Sequence, residues 1–91
     1  MNSKALRLKR QLADTLLAFR KRSGLARREV DEALGLGHGK TQRFESYTSA
    51  IIRKSEITEL ARMYRLSPKE SRELVKLWEE FYKEYKAGKN K

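Results

Sequence analysis

The chain has no cysteine, and it has only one proline and one histidine among its 91 residues. Without cysteine it forms neither a disulfide nor a thiolate metal site, which fits a reducing compartment such as the cytoplasm. One histidine and scattered carboxylates do not make a set of metal ligands. We therefore expect no metal or other cofactor. Because no nucleophile, base and orienting residue are grouped, we also expect that the chain is not an enzyme.

Long apolar runs are also missing. The first 24 residues contain no apolar stretch of signal-peptide length, and no segment approaches the length of a membrane-spanning helix. The sequence therefore predicts neither secretion nor a membrane partner. A length of 91 residues fits a single small domain.

Positive charge, by contrast, is abundant and unevenly distributed. The formal net charge is +10, and residues 1–28 carry nine Lys and Arg residues against the single acid Asp14. This asymmetry predicts a polyanionic partner. A basic run near the N terminus fits either a solvated helix face or a sequence-independent contact with phosphates. It consists of Lys4, Arg7, Lys9 and Arg10.

Apolar spacing predicts an all-α bundle of five helices. The chain has few β-branched residues and only one proline, so its composition favours helices. A long first helix is expected to end at Gly24, and a short second helix to span about residues 27–34. The third helix is placed near residues 38–47.

Capping residues predict where the last two helices begin. Ser55 is the expected N-cap of the fourth helix, and the segment SPKE, residues 67–70, is typical of a capping box that opens the fifth. We expect one domain over residues 1–86 and a short, disordered basic tail over residues 87–91.

The segment GLGHGKTQRFES, residues 35–46, places three glycines before a polar helix. Gly35 suits a left-handed turn, and Leu36 is expected to fill the core between the second and third helices. Two short helices joined by a tight turn form a helix-turn-helix, whose second helix enters a DNA major groove. On that helix Phe44 is expected to face inward, and the donor-rich side chains to face out.

The segment LARREVDEALGLGHGKTQRFE, residues 25–45, resembles the XRE family of helix-turn-helix regulators, the phage repressor and Cro type. The flanking segments LLAFRKRSGL and ITELARMYRLSPKESRELVKLWEE are similar to the first, fourth and fifth helices of actinobacterial members. The resemblance covers roughly residues 12 to 80. It implies a lambda-repressor-like fold, here with extended first and last helices.

The resemblance also implies a function and a set of contacts. The expected protein is a sequence-specific transcriptional regulator, a repressor or Cro-like protein that binds double-stranded DNA. The residues placed nearest the base edges are His38, Gly39, Lys40, Gln42 and Arg43. Those placed near the DNA backbone are Arg27, Arg28, Gly37, Ser46, Thr48, Arg53 and Lys54. Arg20 and Glu45 are expected to form a structural ion pair.

Two residues depart from the family pattern at facing positions of the second and third helices. Asp31 stands where the family usually has alanine, and Thr41 stands where it usually has isoleucine or valine. Because a buried carboxylate without a partner is costly, we expect Asp31 to accept a hydrogen bond from the Thr41 hydroxyl.

The last helix carries an apolar stripe about 160° wide, wider than the ~100° that one core needs. A homodimer is one explanation, since two such domains usually reach half-sites about 34 Å apart in that way. The dimer face would consist of Leu74, Leu77, Trp78, Phe81, Tyr82 and Tyr85. The other explanation is internal, with Ala5 and Leu8 of the first helix packed along the stripe.

An alternative function is a protein-interaction module, such as an antitoxin or adaptor, that uses the aromatic last helix. A third interpretation is non-specific coating of nucleic acid. For the leading function we expect a cytoplasmic, bacterial or phage-encoded protein that is nucleoid-associated when bound and has no small-molecule ligand.

Overall fold

A computed structural model describes residues 2–35, 37–47 and 51–89, and all regular secondary structure among them is helical. The five helices are α1 (Ser3–Ser23), α2 (Arg27–Ala33), α3 (Lys40–Phe44), α4 (Lys54–Met63) and α5 (Pro68–Lys89). The predicted five-helix, all-α architecture is confirmed. Leu36, predicted to fill the core, and Thr48, predicted to contact DNA, lie outside the described residues.

Capping residues define both ends of α1. The Asn2 side chain accepts a hydrogen bond from the Ala5 backbone NH at 2.7 Å. Gly24 ends the helix in the left-handed conformation, with φ 79°. A residue with a Cβ would be strained there, so the predicted end at Gly24 is confirmed and has a steric cause.

The start of α4 differs from the prediction, whereas the start of α5 agrees with it. Arg53 rather than Ser55 precedes α4, and its backbone NH donates to the Glu56 carboxylate at 2.8 Å. This bond satisfies the backbone NH of Arg53 at the start of the helix, although no serine side chain caps it. At α5 the Glu70 NH donates to the Ser67 hydroxyl at 3.1 Å, and the Ser67 NH donates to the Glu70 carboxylate at 2.9 Å.

The last helix extends into the segment that was expected to form a disordered tail. It continues through Lys89, beyond the boundary expected at residue 86. Its final turns pair with the start of α1, where the Asn2 side-chain amide donates to the Glu84 carbonyl oxygen at 3.3 Å. Gly88 permits this approach, because a Cβ there would lie 3.3 Å from the Asn2 amide nitrogen. Asn90 and Lys91 lie outside the described residues.

The core lies between α1 and α5, with α4 packed against α5 and α2 against α3. Its fully buried apolar side chains include Leu12, Leu16, Val30, Phe44, Ile52, Ile57, Leu60, Leu74 and Phe81. Trp78 is buried beside them, and its indole NH donates to the Ile52 carbonyl oxygen at 2.6 Å.

The apolar stripe of α5 is used within the chain, so the predicted dimer face is wrong at its centre. Leu74, Trp78 and Phe81 are buried in the core. Ala5 and Leu8 are also buried, on α1, the helix that packs along α5. The remaining residues of that face are partly buried against the same core, and they are Leu77, Tyr82 and Tyr85. The internal explanation accounts for the width of the stripe, because α1 and α4 both pack on α5 and bury the centre of the face that a second copy would need.

Candidate nucleic-acid interface

A turn with two left-handed glycines connects α2 to α3. Gly35 has φ 66° and Gly39 has φ 82°, a region that residues with a Cβ rarely adopt. The five-residue helix α3 is shorter than the predicted span of 38–47, because Gly39 breaks helical geometry immediately before it and the helix ends at Phe44. A helix of this length is not stable by itself in water. Its position must therefore come from tertiary contacts.

The N-terminal end of α3 is held by Asp31 of α2. The Asp31 carboxylate accepts hydrogen bonds from the Gly39 NH at 3.1 Å, the Thr41 NH at 2.8 Å and the Thr41 hydroxyl at 2.5 Å. The expected bond between Asp31 and Thr41 is confirmed, and the two backbone bonds add to it. Burial opposes ionisation of this carboxyl, yet the bonds from Thr41 and Gly39 hold its pKa below the ordinary value. A carboxylate in this place also complements the helix dipole.

The C-terminal end of α3 is held by Lys9 of α1. The Lys9 ammonium donates to the carbonyl oxygens of Ser46 at 2.8 Å, Phe44 at 3.2 Å and Arg43 at 3.4 Å. The side chain is fully buried. Lys9 was predicted to share a solvated or phosphate-binding face, and that prediction is wrong because its ammonium is enclosed by backbone carbonyls.

The charge on Lys9 suits its position but is costly to bury. Burial lowers the pKa of the Lys9 ammonium to about 8. At neutral pH the group is still mostly protonated, and it has three N–H donors for the carbonyl oxygens at and just after the end of the helix. A cation here complements the negative end of the helix dipole.

Glu45, next to α3, joins the helix to α1 and α2 through two arginines. Its carboxylate lies 2.6 Å from the Arg20 Nε and 3.0 Å from the Arg27 Nε. The Glu45 side chain is buried and Arg20 nearly so, whereas 48% of the Arg27 side chain is exposed. Arg20 and Glu45 therefore lie together as the resemblance implied. The contact between Glu45 and Arg27 was not anticipated.

The residues predicted to read bases lie at the outer side of α3 and the turn before it. His38, Gln42 and Arg43 are exposed, and Gly39 and Lys40 are partly buried. The Lys40 ammonium lies 5.9 Å from the centre of the Phe44 ring. This cation–π contact keeps the Lys40 side chain along the surface of α3. A shallow groove runs along this face, lined by His38, Gly39, Gln42, Arg43 and Ser46.

The residues predicted to contact the DNA backbone lie before and after the groove residues in the sequence. They differ in solvent accessibility. The exposed members are Arg28, Gly37, Arg53 and Lys54, and the partly buried one is Ser46. Arg27 is half exposed because its Nε is bonded to Glu45. Two of the exposed cations have loose ionic neighbours: Arg28 lies 3.9 Å from Glu32, and Lys54 lies 3.9 Å from Glu79.

Sequence reasoning missed the cluster around Tyr47. Tyr47 is 52% exposed, the one large apolar side chain of the described residues that is so exposed. Its hydroxyl donates to the Asp14 carboxylate at 2.6 Å, and the Arg10 guanidinium lies 5.4 Å from the centre of its ring. No sequence signal pairs a loop tyrosine with α1. Lys9, by contrast, could have been suspected, because it follows Ala5 by four residues and precedes Leu12 by three, which places it on the apolar stripe.

Residues 11–74 match the helix-turn-helix domain family, and the chain belongs to that family. Such domains typically bind DNA and are not enzymes. No curated relative and no solved structure matches the chain. Within the described part of the chain, no helix is long and apolar enough to cross a membrane, and no three acidic or histidine side chains are grouped to hold a metal ion.

Proposed function

We propose that this protein is a sequence-specific double-stranded DNA-binding regulator of transcription, of the XRE type, that acts as a repressor or Cro-like protein. The observation that supports this proposal best is the way in which α3 is held in the fold. Its inner side is held at one end by Asp31 and at the other by Lys9, while its outer side presents exposed polar side chains. A short helix fixed in this way can enter a major groove without losing its orientation.

The proposed contacts divide into base contacts and phosphate contacts. Arg43 is the principal base reader, because a guanidinium can bond to the O6 and N7 atoms of guanine together. His38, Gln42, Lys40 and the Gly39 backbone lie beside it. The residues proposed to bind phosphates are Arg27, Arg28, Gly37, Ser46, Thr48, Arg53 and Lys54. Phosphate contacts fix the register and supply much of the affinity, whereas base contacts supply specificity.

The proposed setting is the cytoplasm of a bacterium, with the gene carried by the host or by a phage. We propose a homodimer on DNA, assembled through surfaces other than the buried centre of α5.

The alternative of a protein-interaction module that uses the aromatic last helix is not favoured, because Trp78 and Phe81 are buried within the chain. Blocking of polymerase by a bound protein is sufficient for repression.

Selection from a randomised duplex library at near-physiological salt tests the proposal. We expect an enriched motif, palindromic if the dimer forms. Arg43→Ala should lose discrimination at one position by ~1–3 kcal/mol, whereas Arg72→Ala, which removes an exposed arginine of α5, should keep the motif. Tight binding at low salt without enrichment would indicate a non-specific coating protein. Absence of binding would overturn the proposal.

A further inference from the structure

The first two turns of α1 precede the family domain. The domain match begins at residue 11, whereas α1 begins at Ser3. These turns contain all four residues of the N-terminal basic run, Lys4, Arg7, Lys9 and Arg10. Lys9 is buried, and Lys4 lies 3.8 Å from Glu84 on α5. The two arginines of the run are left exposed.

These arginines occupy a fixed position relative to α3. Lys9 is their neighbour in the helix, and its ammonium holds the carbonyl oxygens of Arg43, Phe44 and Ser46. The start of α1 is thus docked on the end of α3. Ser46 also lines the groove that carries Arg43, so this docking point adjoins the candidate base-reading face.

Arg10 and Arg7 lie on one side of α1, about 100° and 160° around the helix from Lys9. The Arg10 guanidinium packs over the Tyr47 ring, just beyond α3. Arg7 precedes it by three residues, which places the two within about 60° of each other around the helix. Asp14 is the only acid among residues 1–28, and its carboxylate already accepts the Tyr47 hydroxyl. The carboxylate one turn from Arg10 along α1 is thus already engaged.

We propose that Arg7 and Arg10 form a second DNA-binding surface, which contacts phosphates of the same duplex beyond the segment that α3 reads. This inference rests on the proposed function. Guanidinium groups bind phosphate oxygens through strong charge-assisted hydrogen bonds, and they do so irrespective of base sequence. Tyr47 positions Arg10 by a cation–π contact that leaves N–H donors free for a phosphate. This surface lengthens the stretch of DNA that the protein contacts, and it adds no preference for base sequence.

The test compares two double variants that remove the same charge. Arg7→Gln with Arg10→Gln changes the proposed surface, and Lys21→Gln with Arg72→Gln changes exposed cations at the other end of α1 and the start of α5. All four side chains are exposed, and circular dichroism checks that both variants fold. Affinity for the selected duplex is measured as a function of salt concentration. In a second series of affinity measurements, the duplex is shortened until it contains only the selected motif.

We expect the Arg7/Arg10 variant to bind the selected duplex about 10- to 100-fold more weakly at low salt. The slope of log K against log salt should fall by about 0.9 for each lost phosphate contact, and the base preference should not change. Shortening the duplex should weaken the wild type and leave the Arg7/Arg10 variant unaffected. Equal affinities and slopes for the two double variants would overturn the inference while leaving the proposed function intact.

If the wild type selects no motif, the proposed function fails, and both variants are then compared on a non-specific duplex. Weaker binding by the Arg7/Arg10 variant alone would still support a phosphate-binding surface on α1. Equal binding by the two variants would overturn it.

Discussion

The Lys9 ammonium nitrogen lies 2.8 Å from the Ser46 carbonyl oxygen, so that α1 closes the end of α3. At the opposite end of α3, the Asp31 carboxylate of α2 accepts the Thr41 NH at 2.8 Å. The helix dipole favours this placement of a cation and an anion. Because α3 has only five residues, its orientation depends on these two side chains more than on its own backbone hydrogen bonds.

Replacement of Asp31 tests the N-terminal attachment. We expect Asp31→Ala to lower the free energy of unfolding by about 2–3 kcal/mol, because the hydroxyl and NH of Thr41 and the NH of Gly39 lose their acceptor. Thr41→Val removes the hydroxyl donor alone and should cost about 1 kcal/mol. Urea denaturation measures both. Equal losses in the two variants would contradict a role for the backbone bonds.

Replacement of Lys9 tests the C-terminal attachment through DNA binding. Lys9→Met should weaken binding to the selected duplex on the order of 10-fold at pH 7, since about 1–2 kcal/mol of ordering of the loop backbone is lost. The salt dependence should stay that of the wild type, because the buried ammonium does not reach a phosphate. Lys21→Met, on the exposed end of α1, is the matched control. A shallower salt slope in Lys9→Met would show that Lys9 contacts the DNA itself.

Titration of Lys9 should appear in the pH dependence of stability. Its pKa is about 8 in the folded chain against an ordinary 10.5. Between these values the unfolded chain holds the proton and the folded chain has released it, so the free energy of unfolding rises with pH. Relative to Lys9→Met, the wild type should gain about 1–3 kcal/mol between pH 7 and pH 10.5. Denaturation at several pH values measures this gain, and a flat or falling difference would contradict it.

The two arginines that contact Glu45 should differ in importance. Glu45→Gln leaves Arg20 with a buried, uncompensated charge and should cost about 3 kcal/mol of unfolding free energy. Arg27→Gln should cost less than about 1 kcal/mol, because its side chain is half exposed to water. Thermal or urea denaturation compares the two. A cost for Arg27→Gln as large as that for Glu45→Gln would reverse the assigned order.

Local chemistry made several features predictable. The end of α1 at Gly24 and the capping box of Ser67 and Glu70 depend on residues within one helical turn. The pairing of Asp31 with Thr41 followed from two departures from a family pattern at facing positions. The bounds of α3 were not predictable to the same degree, because the left-handed Gly39 lies within the span that the polar pattern assigned to the helix.

The sequence by itself determined the helix count, the helix-turn-helix and the strongly basic N-terminal third, since each follows from periodicity, turn residues or charge along the chain. Tertiary structure alone decided what covers α5 and what holds α3. A wide apolar stripe requires a cover but does not identify it. Here α1 and α4 both pack on α5, and Leu74, Trp78 and Phe81 are buried within the chain. The partners of Lys9 are backbone carbonyls, which every residue has, so only the approach of α1 to α3 could select those of Arg43, Phe44 and Ser46.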